Sequence, residues 1–318
     1  MTTPELLLAV DGGGTKTEAL VADLQGNVLA RGLGPGSNAH RVGFDGFCRA
    51  VTTAIDGALR HVLGTGSHKD GPAWRTVPVA AACFGLAGVD GPEDEAQVSR
   101  WVKEQAIAPT FQVVNDSELV LAAGTPDGWG VALVSGTGSN CLGRTPEGRT
   151  LRVGGWGPLL GDEGSGYPIA LQALRLATQT ADGRGDSPAL LEAALRHWSL
   201  PEPSALIPHI YAETMTQAEI AGLAAVVLDL AARGDRDARA IIDEAGAELA
   251  RHVDTVVRRL GLHRPPLALA GGLLRANLRN ALQSAIETEV GAISYVPDPS
   301  LGAIVLARRL LAGSLRAT

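Results

Sequence analysis

The sequence predicts an α/β protein of two domains, and three observations support that fold class. The chain has 318 residues, which at about 150 residues per domain suggests two hydrophobic cores. Short apolar runs typical of buried strands alternate with segments of helical periodicity. Two glycine-rich hairpin tips, at residues 11–15 and 135–139, indicate two related halves that face each other across a ligand-binding cleft.

The first half opens with a predicted antiparallel meander. Residues 6–10 form an apolar strand, and the chain turns at Asp11-Gly12-Gly13-Gly14-Thr15. Apolar residues three or four apart predict a helix over 44–63. The other elements expected here are strands at 19–23 and 28–31, a loop at 65–74, a strand at 77–84, a helix at 93–104, a strand at 111–114 and a helix at 118–123.

The second half repeats the hairpin. Strand 131–134, the tip at 135–139 and a returning strand at 141–144 follow in order, and equating Thr15 with Thr137 gives an offset of 137 − 15 = 122 residues. The later elements are a mostly helical stretch over 165–260, a strand at 267–270, a helix at 275–286, a strand at 293–296 and a helix at 301–311. We expect an N-terminal domain at 1–115 and a C-terminal domain with a helical insertion at 116–300. The C-terminal helix, 301–318, is expected to pack back onto the first domain.

Composition and charge narrow the function. The formal net charge is -7, which gives no general attraction to nucleic acid or to an anionic lipid surface. The longest apolar run near the start has five residues and ends at Asp11, too short for a signal sequence or a membrane span. Cys48, Cys83 and Cys141 form no disulfide framework, and the seven histidines have no metal-ligand spacing. We expect a cytoplasmic protein without nucleic-acid partner, membrane partner or structural metal.

The glycine tip at 11–15 is the first candidate ligand site. Successive glycines allow backbone N–H groups to approach a phosphate without interference from Cβ atoms. Asp11 adds a carboxylate for hydrated Mg²⁺, and Thr15 adds a hydroxyl for phosphate oxygens. Lys16 follows, but the GxxxxGK[ST] spacing of a P-loop is absent and a strand replaces the helix. An ordinary glycine hairpin is the alternative.

Two further segments have the same small-residue character. Residues 135–140 are expected to hold phosphates, and two such tips make the hairpin alternative harder to sustain. Gly271-Gly272 ends a buried strand before a helix, where an adenine ring or a ribose can lie against bare backbone. A simple strand-to-helix turn is the alternative there.

Carboxylates stand at two of the predicted loops. Asp116 follows a strand end, where open α/β sheets bind ligands, and a helix N-cap is the alternative. Residues 154–166 contain six glycines beside Asp162 and Glu163, which can accept hydrogen bonds from sugar hydroxyls or can instead charge the next helix N-terminus. Trp156 is interpreted as a packing anchor for this loop, with a stacking platform for a ligand as the alternative.

Together these motifs resemble the N-acetylglucosamine kinase and BadF/BadG/BcrA/BcrD-type ATPase family, within the actin, hexokinase and Hsp70 superfamily. The resemblance covers nearly the whole chain. It implies two ribonuclease H-like (actin-like ATPase) domains flanking an interdomain cleft, and an ATP-dependent sugar kinase. The motifs that carry it are Asp11 to Thr15 with Glu18, Ser37-Asn38, Asn115-Asp116, Ser135 to Cys141, Gly154 to Ser165 and, more weakly, Gly271-Gly272.

The resemblance also implies roles for individual residues. Asp116 would be the base that takes the proton of the sugar 6-hydroxyl, and Asp11 would bind Mg²⁺ through water. Adenosine would lie beside Gly271 and Gly272. The ATP phosphates would be held by Asp11, Gly12, Gly13, Gly14, Thr15, Lys16, Gly136, Thr137, Gly138 and Ser139. The amino sugar would contact Asn38, Asp116, Thr137, Gly138, Gly155, Trp156, Asp162 and Glu163.

The resemblance favours N-acetylglucosamine as acceptor. Glucosamine or another hexosamine is the alternative, because Ala87 stands where some relatives carry a serine near the sugar. Two functions of another class are weighed against it. An ATPase activator subunit needs iron–sulfur cysteines, but Cys83 and Cys141 fall in predicted strands. A sugar-binding regulator usually carries a helix-turn-helix, whereas the first strand here begins about five residues in. Relatives are often dimers, which implies a homodimer.

Overall fold

The computed structural model describes residues 5–63, 71–274 and 276–314. The chain divides into two compact units. The first comprises the described residues up to Gly128 and from Val296 onward, and the second comprises Trp129–Tyr295. The first unit therefore extends beyond the boundary expected at 115/116, because the helix that begins at Asp116 packs against the first sheet.

The first unit is built on a five-stranded mixed sheet in the order β3-β2-β1-β4-β5. Strands β1 to β3 form the predicted antiparallel meander, and β4 and β5 run parallel to β1. The strands are β1 (Leu6–Gly12), β2 (Lys16–Ala22), β3 (Val28–Pro35), β4 (Val79–Leu86) and β5 (Thr110–Asn115). The helices that follow in this part of the chain are α1 (Ala39–Leu63), α2 (Pro92–Gln105) and α3 (Asp116–Gly124), with a short 3₁₀ turn at Ala73–Arg75.

The second unit has the same sheet. Its order is β10-β9-β6-β7-β8, and the three consecutive strands are again antiparallel while the last two run parallel to the first. The strands are β6 (Gly130–Ser135), β7 (Ser139–Arg144), β8 (Thr150–Gly154), β9 (Leu267–Ala270) and β10 (Ile293–Tyr295). The helices are α4 (Gly166–Ala181), α5 (Pro188–His197), α6 (Leu206–Ile210), α7 (Gln217–Ala232), α8 (Arg236–Leu260) and α9 (Ala276–Ala285), with a 3₁₀ turn at Pro203–Ala205.

The last helix, α10 (Ser300–Ser314), belongs to the first unit. Ala303 and Ala307 are fully buried in a core with Leu7 and Leu119, so α10 covers one face of the first sheet beside α3. Helices α1 and α2 cover the other face through a larger apolar core. Of the segment 301–318 that was expected here, residues 315–318 lie outside the described part of the chain.

The prediction of an α/β fold with two related halves is confirmed, because the two sheets have the same strand order. The sequence interpretation omitted β8, which completes the second meander. Adding the offset of 122 to Val28, the start of β3, gives 150, the residue at which β8 begins. Helix α1 begins earlier than predicted, with a kink at Gly43 (φ 71°). Of the loop predicted at 65–74 and the helix predicted at 275–286, residues 65–70 and 275 lie outside the described residues.

In the described part of the chain, no helix is long and apolar enough to cross a membrane.

Candidate functional site

The first glycine tip lies at the turn between β1 and β2 and is held by backbone hydrogen bonds. Gly13 N donates to Lys16 O (2.9 Å), and Gly13 O accepts from Ser37 N (3.0 Å). Gly12 O accepts from Ala87 N (2.8 Å). A Cβ at Gly12 would lie only 2.4 Å from Ser37 Oγ, so a glycine is needed there. The tip is thus fixed against the segments that follow β3 and β4.

Asp11 is the carboxylate of this tip. Burial, reinforced by the negative charge of Asp116, raises its pKa to about 7. Because its pKa is raised, the ionised form of this carboxyl group would be stabilised by a nearby cation. Carboxylate oxygens are ligands that suit hydrated Mg²⁺. Within the described residues, no cluster of three or more His, Cys, Asp or Glu side chains offers a complete protein cage for a metal.

Lys16 and Thr15 stand at the exposed side of the tip. Lys16 Nζ lies 3.3 Å from Glu18 Oε2, and Glu18 Oε1 accepts from Arg31 (2.7 Å), which also donates to Asp298 (2.8 Å). The Lys16 side chain is 67% exposed, so a negatively charged ligand can compete for it against a weak surface pair.

Asp116 is the first residue of α3, and the structure corrects the N-cap alternative. Asn115 is the cap: its Oδ1 accepts from Ser117 N (3.2 Å) and from Ser117 Oγ (2.7 Å). Asn115 Nδ2 also donates to Val89 O (3.1 Å). Since Asn115 caps the helix, Asp116 is not required for that role. Its charge acts on Asp11, which places the two predicted carboxylates in one electrostatic site.

Asn38 follows β3 and lies beside the turn after β4. Its Oδ1 accepts from His40 N (3.1 Å). Gly88 has φ 87°, and a Cβ there would approach Asn38 Oδ1 to 2.7 Å. The Ala87-Gly88 turn is therefore packed against Asn38, so Ala87 lies near this predicted sugar contact. The first unit brings Asp11, Gly12, Asn38 and Asp116 to the carboxyl-terminal side of β1, β4 and β5.

Several hydrogen bonds join the second tip to the predicted acidic loop. Ser139 N donates to Asp162 Oδ1 (3.1 Å), and Ser139 Oγ donates to Glu163 O (2.7 Å). Ser165 Oγ donates to Thr137 O (3.0 Å), and Gly166 N donates to Gly136 O (2.9 Å). Residues 136–139 and 162–166 are therefore one hydrogen-bonded body, although they are separate motifs in the sequence.

Asp162 occupies an unusual backbone conformation. Its φ is 61°, and the residue is 6% exposed. A residue other than glycine in the left-handed region is uncommon, and such strain is concentrated at ligand sites. A Cβ at Gly138 would lie 2.7 Å from Asp162 Oδ1, so the small residue in the tip is what admits the carboxylate.

The loop between Gly155 and Gly161 leaves and returns beside Ser139. Gly155 N donates to Ser139 O (3.0 Å), and Gly161 N donates to Gly157 O (2.9 Å). Trp156 is 72% exposed, so the interpretation of this ring as a packing anchor is wrong. An exposed indole at the rim of a polar site is instead available to a ligand.

His252 is a site residue that the sequence analysis missed. It lies on α8 with Nε2 3.6 Å from Glu163 Oε2, and burial lowers the pKa of the imidazole. A Cβ at Gly154 would lie 3.2 Å from His252 Nε2. The helical spacing Leu249, His252, Val256 already placed it on the buried face of α8, which was the signal available in the sequence.

Gly271 and Gly272 follow β9 next to the second tip. Gly271 has φ 110°, and a Cβ there would lie 2.0 Å from Ser135 O. Gly271 O also accepts from Tyr295 Oη (3.2 Å). At Gly272 nothing lies within 4 Å of the corresponding position. The first glycine is thus required by packing against the tip, and the second leaves open space for a ligand.

The three cysteines are poorly suited to bind an iron–sulfur cluster. Cys83 and Cys141 are fully buried in β4 and β7, and Cys48 is half-buried in α1. Burial raises the pKa of Cys83 to about 12 and of Cys48 to about 11. These inert thiols disfavour an iron–sulfur activator.

Known proteins are similar to this chain over nearly its whole length. A model of the BadF/BadG/BcrA/BcrD ATPase family matches residues 8–307. The N-acetylmuramic acid/N-acetylglucosamine kinase of Clostridium acetobutylicum is 32% identical over 311 residues, which is 95% of this chain and 98% of that protein. The N-acetyl-D-glucosamine kinase of Dictyostelium discoideum is 34% identical over 314 residues, again 95% and 98% of the two chains.

A crystal structure extends this similarity to the fold. The protein from Chromobacterium violaceum that is provisionally named N-acetylglucosamine kinase matches with a TM-score of 0.72 and 26% identity. The match covers 96% of this chain and 99% of that one.

Proposed function

Because this chain belongs to the BadF/BadG/BcrA/BcrD ATPase family, as its motifs predicted, we propose that it is an ATP-dependent kinase of amino sugars. It transfers the γ-phosphoryl group of ATP to the 6-hydroxyl, with N-acetylglucosamine as the preferred acceptor. The single observation that carries the proposal is the hydrogen bond from Ser139 N to Asp162 (3.1 Å), because it joins a phosphate-type tip to a buried acidic residue suited to a sugar hydroxyl. Full-length similarity to two sugar kinases supports the same conclusion.

We assign phosphate binding to the two tips. Backbone N–H groups and small side chains of each tip would donate to phosphate oxygens, with Lys16 as a mobile positive charge. Adenosine would lie beside Gly271-Gly272, where Gly272 leaves open space. The residues in these roles are Asp11, Gly12, Gly13, Gly14, Thr15, Lys16, Gly136, Thr137, Gly138, Ser139, Gly271 and Gly272.

Asp11 is the residue that would hold Mg²⁺, through water. Its raised pKa supports this assignment, because a cation offsets both the cost of burial and the repulsion from Asp116. When bound, the ion supplies positive charge against the triphosphate. Asp11 would then position the ion near Asp116.

Asp116 is proposed as the general base. Its carboxylate accepts the proton of the 6-hydroxyl, the sugar oxygen forms a bond to the γ-phosphorus, and the bond from that phosphorus to the bridging oxygen of ADP breaks. Asn115 caps α3, so Asp116 is not needed for that role. Base catalysis of this kind contributes about 10²–10⁴-fold, and positioning and electrostatics supply the rest.

The sugar would be held by polar groups, with Trp156 as an apolar contact. Asp162 can accept from sugar hydroxyls while its other bond keeps the tip in place. The residues in this role are Asn38, Asp116, Thr137, Gly138, Gly155, Trp156, Asp162 and Glu163. The names of the two sugar-kinase relatives favour an N-acetylated acceptor, whereas Ala87 removes one polar group that could have discriminated among hexosamines.

We place this reaction in the cytoplasm, where ATP is supplied and where the three free thiols of the chain are normally kept reduced. The function is tested by measuring ADP release over N-acetylglucosamine, glucosamine, glucose, N-acetylmannosamine and N-acetylmuramic acid. N-acetylglucosamine should give the highest kcat/KM. ADP release that none of these sugars accelerates would overturn the proposal.

A further inference from the structure

The guanidinium group of Arg41 lies beside the first glycine tip, at Gly14. A Cβ built on Gly14 would lie 3.3 Å from Arg41 Nη1 and 3.7 Å from Arg41 Cζ. A positively charged group from another segment therefore borders the space that a side chain at position 14 would occupy. Both residues are exposed, so a ligand bound at the tip can reach this guanidinium group.

The backbone around Arg41 is fixed to the tip. Ser37 N donates to Gly13 O (3.0 Å), and Asn38 O accepts from Arg41 N (2.9 Å). The first turn of α1 therefore begins directly beside the tip. The kink at Gly43 (φ 71°) separates this turn from the rest of α1, so the turn can follow the tip while the longer part of the helix covers the sheet.

Positive charge lies at the exposed end of this tip. Gly14 has the Arg41 guanidinium group beside it, and Lys16, 67% exposed, follows two residues later. A guanidinium group can form two parallel hydrogen bonds to the oxygens of one phosphate, whereas the ammonium group of a lysine acts as a point charge. The two side chains together suit a terminal phosphate, which has three acceptor oxygens and the larger negative charge.

We infer that Arg41 binds the γ-phosphate of ATP and makes the protein select ATP over ADP. This inference rests on the proposed function. The transferred phosphoryl group must lie within reach of the acceptor oxygen that Asp116 deprotonates, and Asp116, Asp11 and the first tip belong to the same unit. The part of ATP that lies nearest to this tip is therefore the γ-phosphate. ADP lacks the group that Arg41 contacts, so Arg41 is a specificity-determining residue.

Calorimetric titration of the whole protein tests this role. Experiments with Mg²⁺ and without sugar measure the binding of ATP, ADP and adenosine separately. Arg41→Ala should raise Kd for ATP about 10–100-fold, as expected for the loss of a hydrogen bond between charged groups. Kd for ADP and Kd for adenosine should stay close to their wild-type values. Arg41→Lys keeps the charge but loses the paired donors, so it should give an intermediate Kd for ATP.

Arg49→Ala is the matched control, because Arg49 is an exposed arginine further along α1. It should leave Kd for all three ligands unchanged. A purely structural role of Arg41 would weaken ATP and ADP alike, so equal losses for the two nucleotides would overturn the inference. So would a folded Arg41→Ala variant that binds ATP as tightly as the wild-type protein does.

Failure of the proposed function can be distinguished from failure of this inference. A wild-type protein that does not bind ATP would contradict the kinase assignment itself, and the role of Arg41 with it. Tight binding of ATP that Arg41→Ala leaves unchanged would contradict the role of Arg41 alone.

Discussion

Asp162 Oδ1 lies 3.1 Å from the backbone nitrogen of Ser139, so the carboxylate that is proposed to bind the sugar also fixes the tip that is proposed to bind phosphate. The two functions share one buried group in a left-handed conformation. A change in that carboxylate should therefore affect both substrates.

Asp162→Asn tests this coupling. Asparagine tolerates a positive φ, so the fold should survive, while a neutral amide weakens acceptance from the sugar and from Ser139. We expect kcat/KM for the sugar to fall by about 10–100-fold, as for a lost charged hydrogen bond, and KM for ATP to rise. Asp186→Asn, an exposed change in the same unit, is the control. A variant with wild-type kcat/KM would remove Asp162 from the site.

Asn115 and Asp116 should separate stability from catalysis. Asn115→Ala removes the cap of α3 and should lower the free energy of unfolding by about 1 kcal/mol. Asp116→Asn leaves that cap in place, yet should lower kcat by at least about 10²-fold if its carboxylate is the base. Thermal unfolding and steady-state kinetics on both variants measure the two effects. Near-normal kcat in folded Asp116→Asn would contradict the assignment.

Asp11 predicts a pH dependence of the ligand-free protein. Its pKa is raised from 3.8 to about 7, so between these values the folded state holds a proton that the unfolded state has lost. The free energy of unfolding should therefore fall as pH rises from about 4 to 7 and stay low above that range. Asp11→Asn removes this loss, and the variant should unfold at a higher temperature than wild type at pH 8 but not at pH 4.

The charge of Asp116 is the second cause of that shift. Following the Asp11 carboxyl by NMR in Asp116→Asn should therefore give a lower pKa than in the wild-type protein. An unchanged pKa would mean that the two carboxylates do not share a site.

Gly138 and Gly136 form a matched pair within one tip. A Cβ at position 138 would meet Asp162 at 2.7 Å, whereas nothing lies within 4 Å of a Cβ at position 136. Gly138→Ala should therefore lower the free energy of unfolding by about 1–3 kcal/mol. Gly136→Ala should leave it nearly unchanged and instead raise KM for ATP, because the methyl group obstructs the approach of phosphate. Equal stability of the two variants would contradict the packing described here.

The two hairpins and their glycine tips could be predicted because strand periodicity and glycine both have local causes. The roles of Asn115 and Asp116 could not, since either residue can cap a helix and only the observed bonds of Asn115 decide between them. The exposure of Trp156 could not be predicted for a related reason. A large aromatic residue in a glycine-rich loop suggests packing, but its actual exposure depends on the loop conformation, which the hydrogen bond between Gly161 N and Gly157 O helps to fix. The contact between His252 and Glu163 could not be predicted, because the two residues are 252 − 163 = 89 positions apart in the sequence and meet only in the folded chain.

The most direct test of the account is the product formed from N-acetylglucosamine and ATP. Phosphorus and carbon NMR on the reaction mixture identify which oxygen receives the phosphate. Following the two sugars in one reaction mixture gives the ratio of kcat/KM for N-acetylglucosamine and glucosamine. We expect phosphate on O6 of N-acetylglucosamine, with kcat/KM at least about tenfold above glucosamine, a difference of about 1.4 kcal/mol in transition-state stabilisation. Phosphate on another oxygen, or ADP formed without any sugar phosphate, would contradict the account.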